Sequence, residues 1–238
     1  MATREIPRAF HCHHSAMFTR WPETPSVRQL AFHSCVDRGI ARIEWDAEMP
    51  LDALIDELGA TAVEHRVLTP RPADEARSHT LSSLYGLGTL PWHTDGAHWP
   101  VPPRASLMRA SAGSSTPTYF LDAREVIQSA DLEARLRQGS WCVIGSRTPF
   151  YVAAVASDGA VRFNADVMRP AGSRAAEAQA QLVRALGSAA FKTHQWSAGE
   201  ALLIDNHRVL HSRPPVPETD RDRRLERILC RAPTSLGC

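Results

Sequence analysis

The sequence has almost no lysine, little net charge and no long run of hydrophobic residues. Only Lys192 is a lysine among 27 basic side chains, and 26 acidic side chains leave a formal net charge of +1. This balance gives no electrostatic argument for a nucleic-acid or membrane-surface partner. No apolar stretch approaches the roughly 18 residues of a membrane helix, and the N-terminus lacks the apolar region of a secretory signal. We therefore expect a cytoplasmic protein that binds neither nucleic acid nor membrane.

The cysteines also exclude several classes of protein. There are five, an odd number, and none has C-x-x-C spacing: Cys12, Cys35, Cys142, Cys230 and Cys238. A disulfide framework or a zinc ribbon is therefore not expected, and a reducing cytosol fits. The segment His11-Cys12-His13-His14 contains metal-binding side chains, but no partner ligands follow at zinc spacing. We interpret it as a flexible or strand-edge segment.

What the chain does contain is a series of short strand patterns with a few helices between them. Its 238 residues, 43% of them hydrophobic, predict one globular domain over residues 1–238. Helices are predicted at 51–58, 123–138 and 171–186. Strands are predicted at 41–45, 61–68, 81–86, 105–110, 119–121, 141–144, 150–155, 160–163, 194–196, 201–204 and 223–231, with a hairpin turn at 157–159. This order predicts a mainly β fold with α, a double-stranded β-helix (jelly roll) core flanked by helices.

A metal-binding tripeptide lies near the middle of the chain, at His93-Thr94-Asp95, and a glycine follows it. In an extended strand, residues two apart point to the same face, so this imidazole and this carboxylate can reach one ion. Two histidines and one carboxylate form the facial triad of non-haem Fe(II) oxygenases. The third ligand must come from distant sequence. Two candidates, His207 and His211, follow the apolar strand at 201–204.

Two segments resemble the Fe(II)/2-oxoglutarate oxygenases of the taurine dioxygenase and clavaminate synthase-like family. They are residues 91–96, Pro-Trp-His-Thr-Asp-Gly, and residues 205–213, Asp-Asn-His-Arg-Val-Leu-His-Ser-Arg. In that family the distal histidine ends an Asp-Asn-x-Arg-x-x-His-x-Arg stretch, and this register selects His211 rather than His207. The resemblance implies that His93, Asp95 and His211 are the Fe(II) ligands and the catalytic residues.

The same resemblance implies an arginine that binds the far carboxylate of 2-oxoglutarate. Residues 222–227, Asp-Arg-Arg-Leu-Glu-Arg, resemble the family's Asp-Arg-x-Leu-x-Arg strand and match Arg223 to that role. A planar guanidinium pairs bidentately with a carboxylate, which lysine does poorly. Arg227 has the same strand parity and is the second arginine, which we assign to cofactor and substrate binding. Arg224 or Arg221 would replace Arg223 if the turn differs.

The remaining candidates concern 2-oxoglutarate and substrate contacts. Thr118 resembles the family threonine that helps hold the carboxylate, although Thr116 is a rival because the expected preceding glycines are absent. The residues assigned to substrate binding are Arg227, Trp99, His98 and Tyr85. Asn206 and Arg208 are expected to shape their loop.

The resemblance implies a hydroxylase that uses O2. Fe(II) and 2-oxoglutarate would act together on an unactivated C–H bond of a small-molecule substrate, an amino acid or a natural-product intermediate, and release succinate and CO2. The carboxylate of Asp95 favours hydroxylation over halogenation, because related halogenases have a small residue there. Two other readings remain: a zinc-dependent hydrolase that uses the same ligands, and a non-catalytic sensor of metal or 2-oxoglutarate.

Overall fold

A computed structural model describes residues 35, 37–43, 50–76, 78, 80–145 and 148–231. The histidine-rich segment at 11–14 lies outside these ranges, as do Cys12, Cys238 and the predicted strand residues 44 and 45. Twelve strands are present in the described ranges: β1 (Ile40–Ile43), β2 (Thr61–Leu68), β3 (Leu90–His93), β4 (Ala105–Ala110), β5 (Thr118–Asp122), β6 (Trp141–Val143), β7 (Phe150–Val152), β8 (Met168–Pro170), β9 (Lys192–His194), β10 (Ala201–Asp205), β11 (Val209–Arg213) and β12 (Leu225–Arg231).

Helices occupy a smaller part of the described chain. The α-helices are α1 (Leu51–Glu57), α2 (Leu81–Tyr85), α3 (Ala123–Val126), α4 (Ala130–Gln138) and α5 (Ser173–Ser188), and 3-10 turns cover Ala73–Glu75 and Glu218–Asp220. None of the helices in these ranges combines the length and the hydrophobicity that crossing a bilayer requires.

The strands form three antiparallel sheets. The largest has the order β1-β10-β4-β12-β2, the second has the order β3-β11-β5-β9, and a small sheet has the order β7-β6-β8. Strands that are distant in sequence lie side by side in both large sheets, for example β4 between β10 and β12. The fold is mainly β, with a jelly-roll core and flanking helices, as the sequence predicts.

Alternation along the strands divides the two large sheets into an inner and an outer face. The inner faces pack against each other through one hydrophobic cluster, which includes Met108, Ala110, Phe120, Leu202, Ile204, Val209 and Leu225. Residues of the opposite parity face outward. Leu107, Leu203 and Ile228 pack under α1, and Leu121 and Leu210 pack under α3, α4 and α5. Because the period of a strand is two, His211 shares the inner face with Val209.

Three of the predicted elements are wrong. Residues 81–86 form the short helix α2 rather than a strand, because Thr80 accepts a hydrogen bond from the Ser83 amide and its own amide donates to the Ser83 hydroxyl. The predicted helix 123–138 is split into α3 and α4, since the Ser129 side chain caps a new helix start. The predicted strand 160–163 contributes only an isolated bridge between Val155 and Val161.

Candidate active site

Two histidines and an aspartate meet on the inner face of the four-stranded sheet. His93 ends β3 and lies directly opposite His211 of β11, and their ring centroids are 4.3 Å apart. Asp95 follows two residues later, in a turn rather than in the strand. One ligand atom from each of the three residues lies within 4.8 Å of the others. His93, Asp95 and His211 are only 7%, 4% and 7% exposed, so water screens this group poorly.

The orientation of these side chains fits a divalent cation. His93 Nδ1 lies 2.8 Å from the Pro91 carbonyl, which only accepts, so Nδ1 carries the hydrogen and Nε2 offers its lone pair. His211 Nε2 lies 3.7 Å from Asp95 Oδ2. That carboxylate oxygen is buried and has no hydrogen-bond partner among the described residues. Buried lone pairs that converge without donors are the situation that a metal ion relieves.

Electrostatics keep the three groups in their metal-binding protonation states. Burial, together with the neighbouring His93, lowers the pKa of His211 to about 3. Burial also lowers the pKa of His93. For Asp95, burial would raise the pKa, but Arg227 and the two imidazoles outweigh it and the pKa falls below its ordinary value. Both imidazoles are therefore neutral and the carboxylate is charged at neutral pH.

Asn206 fixes the turn that carries the carboxylate. Its Oδ1 accepts the Asp95 amide at 2.7 Å, and its Nδ2 donates to the carbonyls of Asp95 and Pro103, both at 2.9 Å. Gly96 completes the turn with φ of +63°, and a Cβ there would lie 2.6 Å from the Pro103 ring. The prediction that Asn206 shapes the loop agrees with these contacts. Arg208, predicted likewise, forms an ion pair with Asp122.

Arg227 contacts the carboxylate of Asp95, one of the three clustered side chains. It reaches inward from β12, and its guanidinium donates to Asp95 Oδ1 and, at 2.9 Å, to Glu64 Oε1. Arg66 holds the other Glu64 oxygen at 2.6 Å. The sequence assigned Arg227 to cofactor and substrate binding, whereas here two carboxylates of the protein already engage both terminal nitrogens. Glu64 was not recognised from the sequence, because residues 61–68 indicated a strand and nothing more.

Arg223 lies in a separate buried pocket lined by hydroxyl groups. Its Nε donates to Ser114 Oγ at 3.1 Å, and a terminal nitrogen donates to Thr118 Oγ1 at 3.3 Å. Among the described residues, no carboxylate forms a salt bridge with it. Burial lowers the pKa of Arg223 to about 10, and nearby Arg213 adds repulsion that Asp220 partly offsets. The pocket therefore contains an almost unneutralised cation, as an anion-binding site requires.

The rival residues Arg221, Arg224 and Thr116 do not take part in the hydrogen bonds of the Arg223 guanidinium. Arg221 and Arg224 are exposed. Thr116 donates its amide to Asp220 at 2.8 Å, and its hydroxyl has no partner among the described residues. Thr118 lies two residues along β5 from Phe120, which pairs with His211. The contacts therefore favour Arg223 and Thr118, and they place the pocket next to the histidine pair.

The predicted substrate residues lie around this centre. The Tyr85 hydroxyl donates to Asp166 Oδ1 at 2.8 Å, and burial followed by this contact raises the pKa of Tyr85 to about 12. His98 is exposed and accepts the Trp99 indole N–H at 2.9 Å. Arg162 donates to the Trp99 carbonyl at 3.0 Å and so fixes the backbone next to His98. His207, the rejected third ligand, is not part of the metal-binding group.

Comparison with solved structures shows where this fold occurs. An asparagine oxygenase in complex with Fe(II), 2S,3S-3-hydroxyasparagine and succinate matches with a TM-score of 0.68 and 16% identity, over 88% of this chain and 79% of that chain. The non-heme iron oxygenase OrfP in complex with Fe matches with a TM-score of 0.65 and 17% identity, over 87% and 79%. The PvcB protein from Pseudomonas aeruginosa matches with a TM-score of 0.63 and 17% identity, over 86% and 79%.

The sequence comparisons are more restricted. A search of curated protein sequences finds no match. Residues 147–229, which include His211, Arg223 and Arg227, match the model of the family described as taurine catabolism dioxygenase TauD, TfdA family. The family match is confined to this segment, and over most of its length the chain shares its fold with the solved oxygenases.

Proposed function

We propose that His93, Asp95 and His211 bind Fe(II), and that Arg223 with Thr118 binds the far carboxylate of 2-oxoglutarate. The enzyme then hydroxylates an unactivated C–H bond of a small-molecule substrate. The observation that carries this proposal is that a buried group of metal-binding side chains and a buried arginine without a carboxylate partner lie close together between the two large sheets. Among the described residues, Asp95 Oδ2 and His211 Nδ1 are buried without a hydrogen-bond partner, and nearby Arg223 has only hydroxyl partners. Fe(II) would coordinate the unpartnered ligand atoms, and a carboxylate of 2-oxoglutarate would pair with the arginine.

The residues of the chain prepare this reaction in three ways. Neutral imidazoles and a charged carboxylate present lone pairs without first losing protons. Arg227 occupies Asp95 Oδ1, which leaves Oδ2 for the metal. The buried faces around the centre exclude bulk water, which protects a reactive species from side reactions. When bound, Fe(II) with 2-oxoglutarate and O2 supplies the oxidising power for C–H cleavage, with release of succinate and CO2.

The substrate that we propose is an amino acid or a natural-product intermediate derived from one. Two structural neighbours were solved with hydroxylated amino acids, 3-hydroxyasparagine in the asparagine oxygenase and (3S)-hydroxy-L-Arg in OrfP. The retained carboxylate ligand Asp95 favours hydroxylation over halogenation.

Cys35, Cys142 and Cys230 are free thiols, which supports the proposed cytoplasmic location.

Anaerobic titration of the metal-free protein with Fe(II) and 2-oxoglutarate tests the ligand set. We expect a weak visible charge-transfer band that requires both components, because the keto acid must chelate the iron. His211→Ala should abolish the band. His207→Ala, which changes the rejected candidate four residues earlier, should keep it. A folded wild-type protein without the band, or a band that persists in His211→Ala, would refute the proposal.

A further inference from the structure

An acidic side chain that the proposed reaction does not use lies next to the first metal ligand. Asp166 belongs to a turn at residues 164–167, where its amide donates to the Asn164 side chain at 2.9 Å. Asn164 forms a β-bridge with His93. One residue earlier, the Phe163 carbonyl accepts the Thr94 amide at 2.8 Å. The turn is thus attached by its backbone to the His-x-Asp segment, and Asp166 is within electrostatic range of His93.

The carboxylate of Asp166 is only half satisfied. Oδ1 accepts the Tyr85 hydroxyl at 2.8 Å, whereas Oδ2 is buried and has no hydrogen-bond partner in the described part of the chain. No arginine, lysine or histidine among those residues forms a salt bridge with it. A buried carboxylate oxygen without a donor is costly, so such an oxygen usually marks a missing partner.

Apart from Asp95 in the proposed metal site, three other shielded carboxylates among the described residues have partners. Asp205 bonds with Arg104 at 3.0 Å, and Glu226 bonds with Arg109 at 2.6 Å. Asp220 forms no salt bridge within the described ranges but receives hydrogen bonds from one hydroxyl and two amides. Asp166 therefore differs from them in leaving one oxygen free beside the catalytic centre.

We propose that Asp166 binds a positively charged nitrogen of the substrate, an ammonium or a guanidinium group, through Oδ2. The Tyr85 hydroxyl holds Oδ1 and so fixes the direction of the free oxygen. The inference rests on the proposed function and names its substrate class: a cationic small molecule is recognised by a carboxylate at the His93 side of the site. Arg227, which the sequence assigned to cofactor and substrate binding, is already engaged by Asp95 and Glu64.

The test uses matched probes that differ in one positive charge. L-Arginine is compared with L-citrulline, and L-norleucine with hexanoic acid, as perturbants of the visible band of the anaerobic enzyme with Fe(II) and 2-oxoglutarate. In at least one pair, we expect the charged member to bind 10-fold or more tightly than its partner. Asp166→Asn should reduce that preference about 10-fold, because it removes the charge with little change in shape.

Two further variants show whether a lost preference comes from the Asp166 carboxylate or from a general loss of folded protein. Tyr85→Phe retains the carboxylate but frees its orientation, so the preference should fall less than in Asp166→Asn. Asp131→Asn removes an exposed carboxylate of α4 and should keep the wild-type preference. Equal or absent binding of both members of both pairs to the wild type overturns the inference, as does an unchanged preference in Asp166→Asn. An absent band in the wild type refutes the proposed function instead, and the inference with it.

Discussion

Arg223 is the side chain whose surroundings most clearly require a ligand. It is 9% exposed, and its hydrogen-bond partners among the described residues are hydroxyl groups. We predict that Arg223→Gln raises the dissociation constant of 2-oxoglutarate at least about 30-fold, since removing one partner of a buried charge pair costs roughly 2 kcal/mol or more. Anaerobic titration of the iron-loaded protein, followed through the visible band, measures this change.

The neighbouring residue provides the control for that measurement. Arg224→Gln removes an exposed guanidinium one position along the chain, and we expect the dissociation constant of 2-oxoglutarate to stay within about twofold, as is usual for exposed charges. A large effect in Arg224→Gln, combined with a small one in Arg223→Gln, would assign the carboxylate to the other arginine.

Individual site residues were predictable to different degrees. The spacing of His93 and Asp95 indicated a shared target, but the reason differs from simple strand alternation. β3 ends at His93, and Asn206 holds Asp95 in the following turn. Nothing in the local sequence marks Asp166, because its role depends on Tyr85, a residue 81 positions away. Local patterns identify residue types suited to a site, whereas contacts between distant turns appear only after folding.

At the scale of elements, the 3-10 turn Glu218–Asp220 supports the residues around Arg223, the proposed 2-oxoglutarate pocket. Asp220 accepts hydrogen bonds from the Ser114 hydroxyl and the Thr116 amide, both at 2.8 Å, and Ser114 in turn accepts from Arg223. Burial would raise the pKa of Asp220, but these hydrogen bonds outweigh it and lower the pKa below its ordinary value. The charged form is thus the form that the folded state prefers.

This preference predicts a pH-dependent loss of stability in Asp220→Asn. Because the pKa is lower in the folded than in the unfolded state, the stabilisation is complete above about pH 4 and is lost as the pH falls through the folded value. The variant should unfold about 2 kcal/mol more easily at pH 7, a typical value for hydrogen bonds to a charged group. Urea unfolding from pH 7 down to pH 3 should show this difference shrinking.

A matched control for the pH experiment lies two residues away. Asp222 is exposed, so Asp222→Asn should change the free energy of unfolding by less than about 0.5 kcal/mol at either pH. If Asp220→Asn lost the same amount at pH 7 and at pH 3, its effect would come from packing rather than from the charge of the carboxylate.

The elements themselves were predictable where one local pattern dominated. The strands 61–68 and 105–110 agree with β2 and β4 residue for residue, because both carry an uninterrupted extended pattern. In α2, the apolar positions Leu81, Leu84 and Tyr85 have helical spacing, and the Thr80–Ser83 capping contacts decide in favour of a helix. The split between α3 and α4 depends on the Ser129 side chain, which caps a new helix start. The residues of 123–138 would otherwise allow one continuous helix, so the sequence did not indicate the break.

At the scale of the whole molecule, the site joins the inner faces of two sheets. His93 and His211 belong to β3 and β11 of the four-stranded sheet, while Arg227 reaches the same centre from β12 of the five-stranded sheet. Which strands would pair, and which sheets would face each other, was not readable from the sequence, because β12 and β3 are separated by more than a hundred residues without any local signal. The resemblance to an oxygenase family provided that arrangement instead.

This arrangement predicts that metal and 2-oxoglutarate stabilise the fold cooperatively. In the proposed complex the metal would contact one sheet, and 2-oxoglutarate would link it to Arg223, which precedes a strand of the other. At 100-fold excess over the dissociation constant, a ligand adds about 2.7 kcal/mol, which corresponds to roughly 5 to 10 °C in Tm for a chain of this size. Under anaerobic conditions, Fe(II) with 2-oxoglutarate should therefore raise the Tm by more than the sum of the two separate shifts. Succinate, which lacks the keto group for chelation, should show no such excess, and His211→Ala should lose it; strictly additive shifts would show that the two ligands bind independently.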